Sequence, residues 1–343
     1  MRKRIGALLL LLSVSLPCLV SCAREREVTY YQYFDTVITL SATSLAREDF
    51  ETVTAGAEKE ISDYHKLFDI YHEYAGVNNL CTVNKARGTG TPVKIDRRLF
   101  DFLARGKELY ELTDGHMNIM MGAVTSLWND ARANAESGAP ALPTEQALAE
   151  AKKHISIESL VLDEESLTAY ISDPLASLDV GAFGKGYAAE RVSEYVKRNG
   201  ITNDFVLNFG GNLRVIGCRE DGEPFTSGIL DPNADAVGSY AIVLPLNDNS
   251  LVTSGSYFRY FEIEGQRYHH LIDPETAMPS DRFVSVSVWG KDSGLCDALS
   301  TALFVMDRAE GEALIDSLAG YEAVWITPEG ETYCTEGLRA YLK

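Results

Sequence analysis

Leu178-Asp179-Val180-Gly181-Ala182-Phe183-Gly184-Lys185-Gly186 is the stretch from which the rest of the chain is read. Gly181, Gly184 and Gly186 make a tight turn, and a helical pattern begins where it ends. Ala188, Val192, Tyr195 and Val196 follow at i, i+4, i+7 and i+8, the spacing of one apolar helix face. Lys197, Arg198 and Gly200 close that helix. A turn of small residues ahead of a helix exposes backbone N–H groups at the positive end of the dipole, which suits a phosphate. Lys185 adds a full positive charge there. The stretch is neither GxGxxG nor a P-loop, so alone it fits equally a helix start that needs glycine dihedrals.

Farther along, Leu295, Ala298, Leu299, Ala302, Leu303 and Met306 form a second apolar helical pattern, with Ser293 as the expected N-cap. Asp297 and Thr301 stand four apart, so both side chains project from one face, and their apolar neighbours turn that face inward. A carboxylate, a hydroxyl and nearby carbonyls are hard oxygen donors suited to Mg²⁺. The competing reading is an aspartate drawn to a helix N-terminus and a threonine bonded back to its own helix.

Tyr268-His269-His270-Leu271-Ile272-Asp273-Pro274 ends a strand in a polar turn. Adjacent histidines on a strand point to opposite faces, so at most one faces a site. Leu251 to Tyr257 is a strand running into a tight turn, and Asn208-Phe209-Gly210-Gly211-Asn212 is a strand end open to close ligand approach. Patterning predicts further strands near 29–43, 204–209, 213–217, 239–245, 257–263, 267–272 and 283–289. It predicts helices near 45–67, 98–112, 145–154, 185–199, 294–306 and 308–318. Helices mixed with hairpin-like strand pairs indicate α+β rather than a regular βαβ array. No composition break divides the chain into independent domains.

The N-terminus carries its own signal. Arg2, Lys3 and Arg4 precede an interrupted apolar run from Ile5 to Val20, too short for a comfortable membrane span but right for a secretory signal. The run ends in Leu19-Val20-Ser21-Cys22, the shape of a lipobox. Residues 1–21 are expected to leave as signal peptide, Cys22 to be acylated, and the segment to residue 29 to serve as tether for a domain at 30–343. Loss of three cations takes the net charge from -19 to -22. So acidic a chain repels nucleic acid and anionic headgroups, so the expected membrane contact is the lipid anchor alone, on the extracytoplasmic face. An acidic protein that holds an anionic ligand needs local cations. Cys81, Cys218, Cys296 and Cys334 are widely spaced with no CxxC, which argues against a zinc cluster.

In their order and spacing these segments resemble the ApbE-type FAD:protein FMN transferases. The resemblance rests on Asp179 to Ala189, Asn208 to Asn212, Thr253 to Tyr257, His270 to Pro274 and Asp297 to Val305. It implies an α+β fold, a single large domain of two intimately packed T-fold-like halves. It implies FAD as substrate, Mg²⁺ as cofactor, and FMN moved to a Thr or Ser hydroxyl of an acceptor flavoprotein with release of AMP. Carried over by position, Asp179 and Lys185 contact FAD, Ile272 contacts the flavin, and Mg²⁺ is held by the Ala182 carbonyl, Asp297 and Thr301. Phe34 stands in a Met-Gly-Thr-like segment. His116, Met117 and Asn118 replace a segment that usually ends in Asp. A family tyrosine becomes either Phe68 or Tyr71.

The implied reaction is phosphoryl transfer, in which positioning and charge stabilisation dominate. His270 is the expected base for the attacking hydroxyl, with Asp273 in reserve although an Asp before Pro more often shapes a turn. Two rivals use the same residues: an FAD pyrophosphatase, with water as acceptor, and a non-catalytic FAD-binding lipoprotein.

Overall fold

Along strands Ile38–Ala42 and Phe205–Phe209 buried residues alternate with half-buried ones, the period of a sheet with one covered face. In the computed structural model, which describes residues 25–232, 239–257 and 259–342, both strands belong to an eight-stranded antiparallel sheet. Its order is Arg26–Tyr30, Ile38–Ala42, Phe205–Phe209, Asn212–Ile216, Ser250–Gly255, Ser285–Gly290, Glu322–Ile326 and Thr332–Cys334. Two like halves emerge from that order. In the first, two strands are followed by helices Arg47–Phe68 and Gly184–Arg198 and then two more strands. In the second, the helices are Ser293–Val305 and Arg308–Asp316, again between strand pairs. The halves join where Asn212–Ile216 meets Ser250–Gly255, paired only at Arg214↔Ser250 and Leu213↔Leu251. This is the α+β architecture of two T-fold-like halves that the resemblance implied.

Two insertions give the plain sheet its functional face. Residues 69–183 separate the helices of the first half and contribute helices Arg97–Leu112 and Gly122–Glu136 and a small three-stranded sheet. Residues 256–284 separate the first strands of the second half and contribute the hairpin Tyr260–Ile263 with Gln266–His269. The insertions pack on each other through Trp128, which stacks on Tyr268 and donates its indole N–H to the Ala277 carbonyl at 2.9 Å.

Helices Gly184–Arg198 and Ser293–Val305, one from each half, cross at glycine. A Cβ on Gly186 would sit 2.3 Å from the Ser293 carbonyl oxygen, and one on Gly294 3.1 Å from the Tyr187 Cα. The crossing is locked by a buried ion pair: Glu190 accepts from Arg214 Nε at 3.0 Å and from the Ser293 N–H at 2.9 Å. Burial pushes the Glu190 pKa up, against the pull of Arg214. Beneath the glycine turn, Phe183 stacks on Phe102, and Phe102 on Phe68.

Several expectations need correction. The stretch 29–43 is two strands, split by a turn in which Phe34 and Asp35 take φ of 53° and 51°. Asp292, not Ser293, caps its helix, accepting the Leu295 N–H at 2.8 Å, while Ser293 is fully buried. Helix Gly122–Glu136 escaped the patterning because alanine and polar residues blur its apolar stripe and Met121 provides no side-chain cap. Strand Glu322–Ile326 was also unforeseen. The four cysteines in the described residues are free. The signal segment and Cys22 lie outside the described residues.

Candidate active site

The glycine turn and the start of helix Ser293–Val305 face each other. Asp297 is only 3% exposed, yet it carries a carboxylate into the gap. Its Oδ2 accepts the Gly186 N–H at 2.8 Å, and its Oδ1 lies 3.9 Å from the Lys185 ammonium. Burial pushes its pKa up, and Lys185, Gly186 and the Asn212 carboxamide pull it back only in part. Asn212 itself is buried beside this carboxylate. Every residue of this helix is buried except Thr301. That hydroxyl donates to the Ala182 carbonyl at 3.1 Å, so the turn and the helix supply their oxygens to one place.

These donors fit a hard divalent cation. A buried carboxylate with a single cation 3.9 Å away is short of positive charge. The carboxylate, carbonyl and hydroxyl set is that of Mg²⁺ rather than of a softer metal. Among the described residues no group of three or more His, Cys, Asp or Glu offers a rival metal cluster.

Asp179, at the head of the turn, accepts the Thr125 hydroxyl at 2.6 Å and the Gly181 N–H at 3.0 Å. With Tyr71 it lines a cleft of about 710 Å³ within the first insertion. Phe68 and Tyr71 part company here: Phe68 belongs to the aromatic stack of the core, whereas Tyr71 is 69% exposed. The pKa of Tyr71 is raised by burial of its hydroxyl and by Asp179, and lowered by Arg132 and Arg259.

The two histidines divide as strand geometry requires. His269 is buried against Phe304, with Nε2 bonded to the Ser280 carbonyl at 2.8 Å and Nδ1 accepting the Leu271 N–H. His270 is water-accessible but sits low among protein atoms. That enclosure, then Arg259, Lys185, His269 and Arg132, pushes its pKa down to about 3. The imidazole is therefore neutral at neutral pH and able to take a proton.

The remaining expected residues fall into three groups. Ile272 follows His270 in the same loop and packs against the cluster of Trp128 and Tyr268. Phe34 packs its ring on His65, Phe68 and Phe209. Other side chains are engaged elsewhere. Asp273 accepts the Glu275 N–H at 2.7 Å and shapes the turn, the role its place before Pro274 favoured over that of a base. Met117 is buried in the main core, His116 bonds the Thr113 carbonyl, and Asn118 donates to the Ile155 carbonyl while accepting the Met120 N–H. Patterning missed Arg132 and Arg259, since lone arginines carry no local signature.

The chain matches the ApbE family model over residues 34–325. It is 31% identical over 270 residues to an FAD:protein FMN transferase of Klebsiella pneumoniae, covering 76% of this chain and 80% of that protein. It is 27% identical over 319 residues to the FAD:protein FMN transferase of Haemophilus influenzae, covering 88% of each. The solved ApbE protein of Thermotoga maritima superposes with a TM-score of 0.80 at 23% identity, over 93% of this chain and 99% of that one. The flavin transferase ApbE from Vibrio cholerae does so at 0.76 and 22%, over 93% and 100%. At such identities the superpositions speak for the fold.

Proposed function

The chain belongs to the ApbE family and is a flavin transferase, and we propose that it splits the diphosphate of FAD to place FMN on a Thr or Ser hydroxyl of an acceptor flavoprotein, with AMP as the leaving group. The observation that carries this reading is the meeting of Thr301, the one unburied residue of its helix, with the Ala182 carbonyl at the mouth of the glycine turn.

In this reading Ala182, Asp297 and Thr301 hold Mg²⁺, which when bound offsets the charge of the diphosphate and of the departing AMP. Lys185 adds a cation at the helix start, where N–H groups already favour phosphate. Tyr71 and Phe34 supply aromatic walls for the rings of the dinucleotide. A ring nitrogen of neutral His270 accepts the proton of the acceptor hydroxyl. The hydroxyl oxygen bonds to the flavin-side phosphorus, and the bridging P–O bond breaks with its electron pair passing to AMP. Lys185, Arg132 and Arg259 resolve the puzzle of an anionic substrate on an acidic chain, because they gather around His270.

We read the N-terminal segment as the lipid anchor of an exported protein, acylated at Cys22. The test of function is intact-mass spectrometry after incubation with FAD and a candidate acceptor, with and without EDTA. A gain of one FMN on the acceptor, abolished by EDTA, supports transfer. Free FMN and AMP with an unmodified acceptor would make the protein a pyrophosphatase, and bound FAD without turnover a carrier.

A further inference from the structure

Arg259 enters the scheme above only as one of three cations near His270, yet its placement is unusual. The hairpin Tyr260–Ile263 with Gln266–His269 pairs Tyr260 directly opposite His269. Beyond that last pair the chain leaves the ladder through Arg259 on one side and His270 on the other. The ladder ends there because Arg259 turns to a φ of 43°. A left-handed conformation is costly for a residue with a long side chain, and such strain persists where the surroundings hold it, commonly at functional sites. The guanidinium reaches the Asp35 turn, where Nη2 donates to the Asp35 carbonyl at 3.0 Å and lies 3.7 Å from the Asp35 carboxylate.

The partner is as unusual as the arginine. Asp35 is itself in the left-handed region, beside the equally turned Phe34, and its carboxylate is 99% exposed. An ion pair that open is weak and is easily exchanged for another anion. Most of the guanidinium's five donors thus remain free to grip a phosphate in fork geometry. Arg259 is also the leading cationic influence on His270, ahead of Lys185 and Arg132, and it bears on Tyr71 as well. Three elements deliver the charged groups around the base: the hairpin brings Arg259 and His269, the glycine-turn helix Lys185, and helix Gly122–Glu136 Arg132.

We propose that Arg259 is a catalytic residue: its guanidinium binds the non-bridging oxygens of the phosphoryl group being transferred, at the same end of the hairpin as His270, with Asp35 as its resting partner. Charge builds on those oxygens during phosphoryl transfer, and a fixed donor beside them acts at the point of need. The proposal rests on the FMN-transfer reading.

The test uses the full chain with FAD, Mg²⁺ and an acceptor, comparing wild type with Arg259→Gln, Arg259→Lys and Asp35→Asn. Arg259→Gln is expected to lower kcat about 100-fold or more with a smaller change in KM for FAD. Arg259→Lys should recover part of the rate, because it restores the charge but not the fork. Asp35→Asn should keep kcat within a few-fold. With the cation gone, the acid limb of the pH–rate profile should move to higher pH in Arg259→Gln, a change that a merely structural arginine would not produce. Arg259→Gln with near-wild-type kcat overturns the proposal. So does a loss of rate that tracks lost thermal stability while the acid limb stays put. Wild type that transfers no FMN defeats the functional reading instead, so the two failures are told apart.

Discussion

The N–H of Gly186 donates to Asp297 Oδ2 at 2.8 Å, tying the first turn of a helix in one half of the duplicated sheet to a carboxylate in the other. Because a Cβ on Gly186 would also fall 2.5 Å from the Asp297 Cβ, the contact exists only while residue 186 is glycine. Gly186→Ala should therefore behave against helix propensity. Alanine ordinarily gains about 1 kcal/mol over glycine inside a helix. Here the Ser293 backbone must move, and a net loss of about 1–3 kcal/mol is expected together with loss of transfer activity. Urea denaturation and the FMN-transfer assay report the two effects.

Asp297→Asn separates the cost of the buried charge from its use. The folded-state pKa of Asp297 is raised by burial, so its contribution to stability is fully present below the unfolded carboxylate range and is lost as pH rises through the raised value. In EDTA at neutral pH the asparagine variant should match or exceed wild type in Tm. Added Mg²⁺ should raise the Tm of wild type and leave the variant where it was. A thermal scan of both proteins in both buffers decides it, and an equal Mg²⁺ shift in the variant would remove Asp297 from the metal site.

His270 and His269 should fail in opposite ways. His270→Ala removes a water-accessible ring from the cleft, so kcat should fall about 10²- to 10⁴-fold with the unfolding midpoint nearly unchanged. His269→Ala strips the buried Ser280 carbonyl of its partner and should cost about 1–3 kcal/mol of stability. Its kcat, measured well below the transition, should stay within a few-fold of wild type. Matched kinetics and calorimetry on the pair distinguish the roles.

His65 makes ligand affinity sensitive to acid. Its Nδ1 accepts the Phe34 N–H at 3.2 Å, and its Nε2 faces the Tyr74 hydroxyl, which donates to Asp69 at 2.8 Å. Asp69 in turn holds the Tyr71 N–H at 2.7 Å, so the chain of contacts links Phe34 to Tyr71. Burial lowers the His65 pKa against the pull of Asp69. A depressed histidine favours the folded state above its unfolded pKa, and that contribution is lost as pH falls through the folded value. An imidazolium has no lone pair for Phe34, and FAD binding should weaken about five-fold as pH falls through the lowered folded-state pKa, the worth of one hydrogen bond. His65→Asn, which keeps an acceptor without titrating, should flatten the profile in a fluorescence titration.

The glycine turn, the Asp297–Thr301 spacing and the α+β class were legible because each depends on neighbours within a few residues. Periodicity found helix Arg47–Phe68 to within two residues at its start and one at its end. It ran strands Arg26–Tyr30 and Ile38–Ala42 together, because Phe34 carries no glycine-like mark of its left-handed turn. It left Phe68 and Tyr71 unresolved, since three residues in a short loop decide between a core stack and an open cleft. Likewise, His116 to Asn118 gave no sign that their side chains would turn to the carbonyls of Thr113 and Ile155.

From the order of residues alone come the phosphate-ready turn, the oxygen pair one helical turn apart and the single exposed histidine of an adjacent two. Those properties follow from backbone periods of 3.6 and 2 and from local side-chain chemistry. Packing decided which of them share a space. Arg132, Lys185, Arg259, His270 and Asp297 belong to four separate elements, and they converge because two glycines let the helices of opposite halves touch and because Trp128 pins one insertion to the other. Such convergence depends on shape complementarity between surfaces far apart in the chain, which no local pattern encodes.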